Sequence, residues 1–350
     1  MIRTRTGRAE ILCLFGLITA GGLMVAVPTV AQETGQMREA QFFSSTLDRK
    51  FDYLLYLPPD LRLAAGGISV AVGSANAPRT GEAGQGARYP VLYLLHGRGD
   101  SMMDWRRVGP VLDELIRNEV IPPVIAVAPD APGSERSGYY IDSTFDSSDA
   151  DAVETAIISD LLPHVDASFP TIGGRHGRIL VGYSMGGYGA IRYALAHADR
   201  FGGAIVLSPA VYTPLPPAES STREFGAFGA GPQRFSAERY RELNYPSLLE
   251  AFPGGRAPLR FFVAVGDDEW RHPDPKEMMH DLDMEAHLFY TRASRISGID
   301  AEFRVYDGGH DWDVWERGLR EGLRRFATDL RMAPFRNTGS NAPAKPRTES

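Results

Sequence analysis

The chain has 350 residues, 43% of them hydrophobic and 23% charged, a globular composition that excludes a wholly disordered or fibrous protein. A formal net charge of -7 argues against a nucleic-acid partner, because phosphate binding draws on a basic surface. The single cysteine, Cys13, excludes an intrachain disulfide and any zinc site built on two or more thiolates.

Residues 1–31 read as an export signal. Arg3, Arg5 and Arg8 precede an apolar run from Ile11 to Val27, and Thr29 and Ala31 put small residues at minus three and minus one for cleavage before Gln32. The run contains Gly16, Gly21 and Gly22 and falls short of the about 20 apolar residues of a permanent span. No stable membrane span is therefore expected after cleavage, an uncleaved anchor being the alternative, and the mature chain is expected to be secreted or periplasmic. Cleavage would also remove Cys13, which suits an oxidising compartment.

Residues 32–332 read as one domain. Phe51 to Leu57 alternates and stops at Pro58-Pro59, the pattern of an antiparallel edge strand. Residues 64–88, rich in Gly, Ala, Ser and Pro, read as a surface insertion with one possible strand at Ile68 to Val72. Beyond it, apolar runs at 90–95, 123–128, 178–182, 203–207, 259–265 and 302–306 alternate with helical patterns near 104–119, 151–168, 185–197, 278–297 and 312–330. Such alternation predicts a mostly parallel sheet flanked by helices. The acidic stretch Asp142, Asp146, Asp149 and Asp151 lacks the spacing of a calcium loop and reads as a solvated loop capping the next helix; no metal site is expected. Residues 211–255, rich in Pro and aromatics, read as a lid-like segment, and 333–350 as a disordered tail.

Gly182-Tyr183-Ser184-Met185-Gly186 stands between an apolar strand and a helix start rich in small residues, which makes Ser184 a candidate nucleophile on a tight strand-to-helix turn. A serine hydroxyl needs a base at neutral pH, and in this fold class the chain order is serine, acid, histidine. Of eight histidines, His310 in Gly308-Gly309-His310-Asp311-Trp312 follows a strand and precedes the last helix, at the edge where open α/β sheets bind ligands. The acid is expected on the loop after the preceding strand, Gly266-Asp267-Asp268-Glu269, where the position three after the glycine favours Glu269, with Asp268 as alternative. Leu95-His96-Gly97-Arg98-Gly99 places the Arg98 N–H, with that of Met185, as the oxyanion donors; His96 is assigned a supporting role. Trp105 and the Tyr139-Tyr140 pair are candidate pocket walls, with Trp105 and Tyr140 carried forward as substrate-binding residues.

Three of these stretches, Tyr93 to Gly97, Gly182 to Ala190 and Gly308 to Trp312 with Trp315 after it, resemble an esterase family of α/β hydrolases. That family includes esterase D (S-formylglutathione hydrolase), feruloyl esterases, enterochelin esterases and secreted mycolyltransferases. The resemblance covers about residues 42 to 330. It implies an α/β-hydrolase fold with an antiparallel N-terminal strand pair, and a triad on Ser184, His310 and the acid at Gly266 plus three, which is Glu269. Many members have Asp there; the glutamate beside Asp268 and the insertion at 64–88 are departures. The expected function is an exported serine esterase that hydrolyses small-molecule or glycan carboxylic esters without a cofactor. Two alternatives stand beside it: an acyltransferase that passes the acyl group to a sugar or other alcohol, and a non-catalytic surface binding protein on the same fold. Acyl specificity and oligomeric state have no readable motif.

Overall fold

A computed structural model describes residues 34–64, 67–70, 87–130, 138–146, 152–254, 257–271 and 280–336. Eight strands form the main sheet: β1 (Gln36–Ser44), β2 (Arg49–Leu57), β3 (Val91–Leu95), β4 (Ile125–Pro129), β5 (Arg178–Tyr183), β6 (Gly203–Leu207), β7 (Leu259–Gly266) and β8 (Ile299–Tyr306). Their spatial order is β1-β2-β4-β3-β5-β6-β7-β8. The β1–β2 and β2–β4 pairs are antiparallel, and all pairings from β4 to β8 are parallel.

Helices cover both faces, so the central strands bury alternate side chains in two separate cores. On one face Leu55, Tyr93, Leu180 and Val263 pack with Ile157 and Val165 of the helical run 153–168 (α2) and with Ile191 of α3 (Met185–Ala196). The other face carries Leu54, Leu92, Val181 and Phe262 against Leu112 of α1 (Val108–Arg117) and, from the long C-terminal helix, Leu319, Leu323 and Phe326. Each fully buried leucine of this kind contributes about 1.5–3 kcal/mol. Three further helices follow α3: α4 (Ala237–Leu243), α5 (Tyr245–Glu250) and α6 (Leu282–Ala293); the C-terminal helix is α7 (Trp312–Arg336).

Four expectations change in detail. Phe51 to Leu57 is not the sheet edge: β1 pairs along its outer side, and Leu54 to Leu57 are buried in succession, as in a strand packed on both faces. β1 supplies the other half of the expected antiparallel N-terminal pair, although Gln36–Ser44 mixes polar residues with few apolar ones, is half exposed and carries no clear strand signal. The first residues of the segment expected as a tail, from 333, belong to α7, which continues to Arg336; Leu330 and Ala333, fully buried at i and i+3, prolong its apolar stripe past the expected stop. At the expected insertion, Leu61–Ala64 pairs antiparallel with Gly67–Val70, while 71–86, like residues 1–31, expected as an export signal, and residues 337–350 of the expected tail, lie outside the described residues. The lid-like segment is closely packed, with Tyr212, Phe228, Tyr240 and Tyr245 buried and Ala230–Gly231 paired in parallel with Thr144–Phe145.

Register decides where the loops leave the sheet. Gly182 lies opposite Leu95, Tyr183 opposite Leu207, and Gly266 opposite Tyr306, so the loops after β3, β5, β6, β7 and β8 emerge along one carboxyl edge.

Candidate active site

Ser184 sits on this edge as the residue between β5 and α3, with φ 54° and ψ -120°. A non-glycine residue in such a region costs about 1–3 kcal/mol and persists only when its surroundings hold it there. Three backbone bonds do so: Ser184 N–H donates to the Leu207 carbonyl at 2.9 Å, and its own carbonyl accepts from Ala210 N–H at 2.9 Å and Tyr188 N–H at 3.1 Å. The turn is so tight that a Cβ on Gly182 would lie 2.0 Å from the Gly186 carbonyl oxygen, and one on Gly186 1.9 Å from that of Leu95. The Ser184 side chain makes no capping bond to α3, so its hydroxyl is not spent on the helix N–H groups that start beside it.

The loops after β7 and β8 bring Glu269 and His310 together. Asp267 N–H donates to the Tyr306 carbonyl at 3.0 Å and Asp268 N–H to the Gly308 carbonyl at 2.9 Å, lacing the two loops side by side. His310 Nδ1–H donates to Glu269 Oε2 at 2.6 Å, with Glu269 fully buried and His310 nearly so. The other carboxylate oxygen, Oε1, accepts from Gly266 N–H at 3.0 Å and from Ser208 Oγ–H at 2.5 Å. Burial opposes ionisation of Glu269, but the charge and hydrogen bond of His310, the Ser208 hydroxyl and the Gly266 N–H outweigh it, and the pKa falls below the ordinary glutamate value. Asp268 does not reach the imidazole: its carboxylate accepts from Arg271 Nη1 at 2.7 Å on the surface.

His310 and Ser184 are joined through aromatic packing. The Trp315 indole stands edge-on to His310 at 5.0 Å and stacks at 4.4 Å on Tyr183, the residue before the serine. Ser184 Oγ and His310 Nε2 are not hydrogen-bonded to each other among the described residues. Such bonds are often long without substrate and tighten on binding.

The turn after β3 carries Arg98, and Met185 is the first residue of α3. His96 braces that turn. Buried beneath it, the ring donates from Nδ1 to the Gly97 carbonyl at 2.8 Å, and its own carbonyl accepts from Tyr140 O–H at 3.1 Å. Burial pushes the His96 pKa down, which keeps the imidazole neutral. The far end of the turn is held by Tyr183 O–H, which donates to Asp100 Oδ2 at 2.8 Å.

Trp105 and Tyr140, expected as pocket walls, lie inside the packed core. Both are fully buried: Trp105 packs against Tyr183 and Trp312 at 5.2 and 5.6 Å, and the Tyr140 hydroxyl is spent on the His96 carbonyl. Asp142 accepts from Thr155 N–H at 3.0 Å and Thr155 Oγ1–H at 2.6 Å, tying the acidic loop to the start of α2. Ser208, which donates to Glu269 Oε1, carries almost no signal in the sequence. Its one signal is Ser208-Pro209 directly after β6, a common strand ending.

The Esterase family model matches residues 78–326. An esterase of Mycobacterium tuberculosis is 35% identical over 120 residues, which is 34% of this chain and 25% of that protein. The chain thus spans only about a quarter of that relative's length. An acetyl esterase of Caldicellulosiruptor saccharolyticus is 26% identical over 235 residues, 65% of this chain and 79% of its own. Among solved structures, a ferulic acid esterase superimposes with a TM-score of 0.61 at 24% identity, covering 85% of this chain and 99% of the other. An S-formylglutathione hydrolase from Agrobacterium tumefaciens gives 0.59 at 18% identity, covering 86% and 97%. At these identities the structural likeness establishes the α/β-hydrolase fold.

Proposed function

Because the chain belongs to the Esterase family, we propose that it is an exported serine esterase acting on carboxylic esters of small molecules or glycans through a Ser184-His310-Glu269 triad. The observation that carries this reading is the buried 2.6 Å Glu269–His310 pair on the same sheet edge as the strained turn of Ser184. Ser184 Oγ attacks the ester carbonyl carbon while His310 Nε2 takes its proton. The negative charge that forms on the carbonyl oxygen is met by the backbone N–H groups of Arg98 and Met185. When the intermediate collapses, the ester C–O bond breaks, the departing alkoxide takes the proton from His310, and an acyl-serine remains. Water then enters, loses a proton to His310 and releases the acid, restoring Ser184. Glu269, ionised in its buried site, holds the imidazole in the tautomer with the proton on Nδ1 and stabilises the imidazolium of each step. This chemistry requires no cofactor.

The basic-then-apolar pattern of residues 1–31 supports export, and no described helix is long and apolar enough to cross a membrane. The test is hydrolysis of p-nitrophenyl acetate together with labelling by a fluorophosphonate probe. Ser184→Ala is expected to lose about 10⁶-fold in kcat and all labelling; turnover at the wild-type rate would refute the assignment.

A further inference from the structure

Ser208 follows β6 immediately and lies between the two halves of the site. It is fully buried with φ 42°, and its N–H donates to the Ala264 carbonyl of β7 at 2.7 Å, which fixes its backbone against the neighbouring strand. Its hydroxyl is used twice. It accepts from Trp315 Nε1–H at 3.0 Å and donates to Glu269 Oε1 at 2.5 Å. The Trp315 that supplies the first proton also stands edge-on to His310. One indole therefore touches both the imidazole and the hydroxyl that grips the carboxylate.

A carboxylate on a glutamate turns about its last torsion, which has broad minima, so a single bond to His310 would leave its plane poorly defined. The two donors on Oε1, Ser208 O–H from β6 and Gly266 N–H from β7, come from different strands and fix that plane, leaving Oε2 facing His310. A hydroxyl satisfying a buried oxygen would need neither the bond from Trp315 nor the unusual backbone angle; both aim the Oγ–H at Glu269.

We propose that Ser208 is a positioning residue of the triad: the relay Trp315–Ser208–Glu269 sets the angle at which Glu269 presents its carboxylate to His310, and so the aim of the imidazole at Ser184. The inference rests on the reading of Glu269 as the triad acid. Ser208 touches no substrate, so its removal should appear in kcat and leave KM alone. Alanine keeps the Cβ and thus the backbone demand of the site, so Ser208→Ala removes the hydroxyl alone.

The experiment measures p-nitrophenyl acetate hydrolysis for Ser208→Ala and Trp315→Phe, each in the wild-type and the Glu269→Gln background. Ser208→Ala is expected to lower kcat about tenfold or more with KM within about twofold, since small misalignments of a reacting pair are costly. In the Glu269→Gln background the same change should cost less than about twofold, because groups that act through one another are not additive. Trp315→Phe, which keeps a six-membered aromatic ring in the packing on Tyr183 and His310 but loses the pyrrole half of the indole with its N–H, should show a smaller loss, about threefold, that likewise disappears in Glu269→Gln; it carries the test if Ser208→Ala does not fold. An equal loss in both backgrounds, a loss confined to KM, or wild-type kcat in both variants would overturn the relay. Wild-type kcat in Glu269→Gln alone would instead overturn the triad acid, so the two failures are distinct.

Discussion

Replacing Gly186 by alanine places a methyl group into the backbone that separates the two proposed oxyanion donors. The added Cβ would lie 1.9 Å from the Leu95 carbonyl oxygen, 2.4 Å from its carbonyl carbon and 2.8 Å from the His96 carbonyl oxygen. Carbon atoms settle at about 3.5–4.0 Å from one another, so the end of β3 and the first turn of α3 must part by roughly 1 Å or more. Neither side is a flexible side chain that swings away. Leu95 is hydrogen-bonded in the sheet beside Gly182, and α3 starts at the strained Ser184. Overpacking of this kind costs about 1–3 kcal/mol of stability, and a misplacement near 1 Å costs about 10²-fold in rate. Gly186→Ala is therefore expected to lose about 100-fold in kcat/KM on p-nitrophenyl acetate and to melt several degrees lower, roughly 2–4 °C for each kcal/mol in a domain of this size. Gly173→Ala is the control, since a Cβ there meets nothing within 4 Å, and it should match the wild type in both measurements. Wild-type kcat/KM in Gly186→Ala would refute the close approach of β3 and α3 as the element that sets the site.

The remaining expectations concern pH and processing. Because burial holds the His96 pKa below the ordinary imidazole value of about 6.5, the unfolded chain binds a proton there before the folded one does, and stability must fall as pH drops through that range. His96→Asn should be less stable than the wild type near pH 8 yet lose less between about pH 7 and 5 in urea titrations; parallel curves would contradict the assignment. The protein recovered from outside the cytoplasm should begin at Gln32, as read by N-terminal sequencing or intact mass. Recovery there with residues 1–31 still attached would point to the uncleaved anchor.

What the amino-acid order carries by itself is the alternation of elements and the approximate ends of the strands. The runs Val91–Leu95, Arg178–Tyr183 and Gly203–Leu207 are short, apolar and bounded by turn residues, and local patterning suffices to place them. The candidates Ser184 and His310 are legible for a related reason: each lies on a glycine-rich turn just after a strand, the one before His310 being longer and more polar, and the glycines record close backbone approach. The acid is different. Asp267, Asp268 and Glu269 are adjacent carboxylates of the same chemistry; the position three after Gly266 favours Glu269 but leaves Asp268 open as the alternative, since which one turns inward is not fixed by its neighbours in sequence. The fold separates them: Asp268 pairs with Arg271 on the surface, while Glu269 is drawn beneath His310 from a strand 41 residues further on. Ser208 is hidden more deeply, since its partners stand 61 and 107 residues away and its own neighbourhood reads as an ordinary strand end. Trp105 and Tyr140 show the opposite case, aromatics whose place beside the motifs suggested a pocket and whose burial the sheet decided. Periodicity is a property of neighbouring residues and survives in one dimension; which oxygen meets which ring depends on how strands remote in sequence lie side by side, and only the folded sheet determines that.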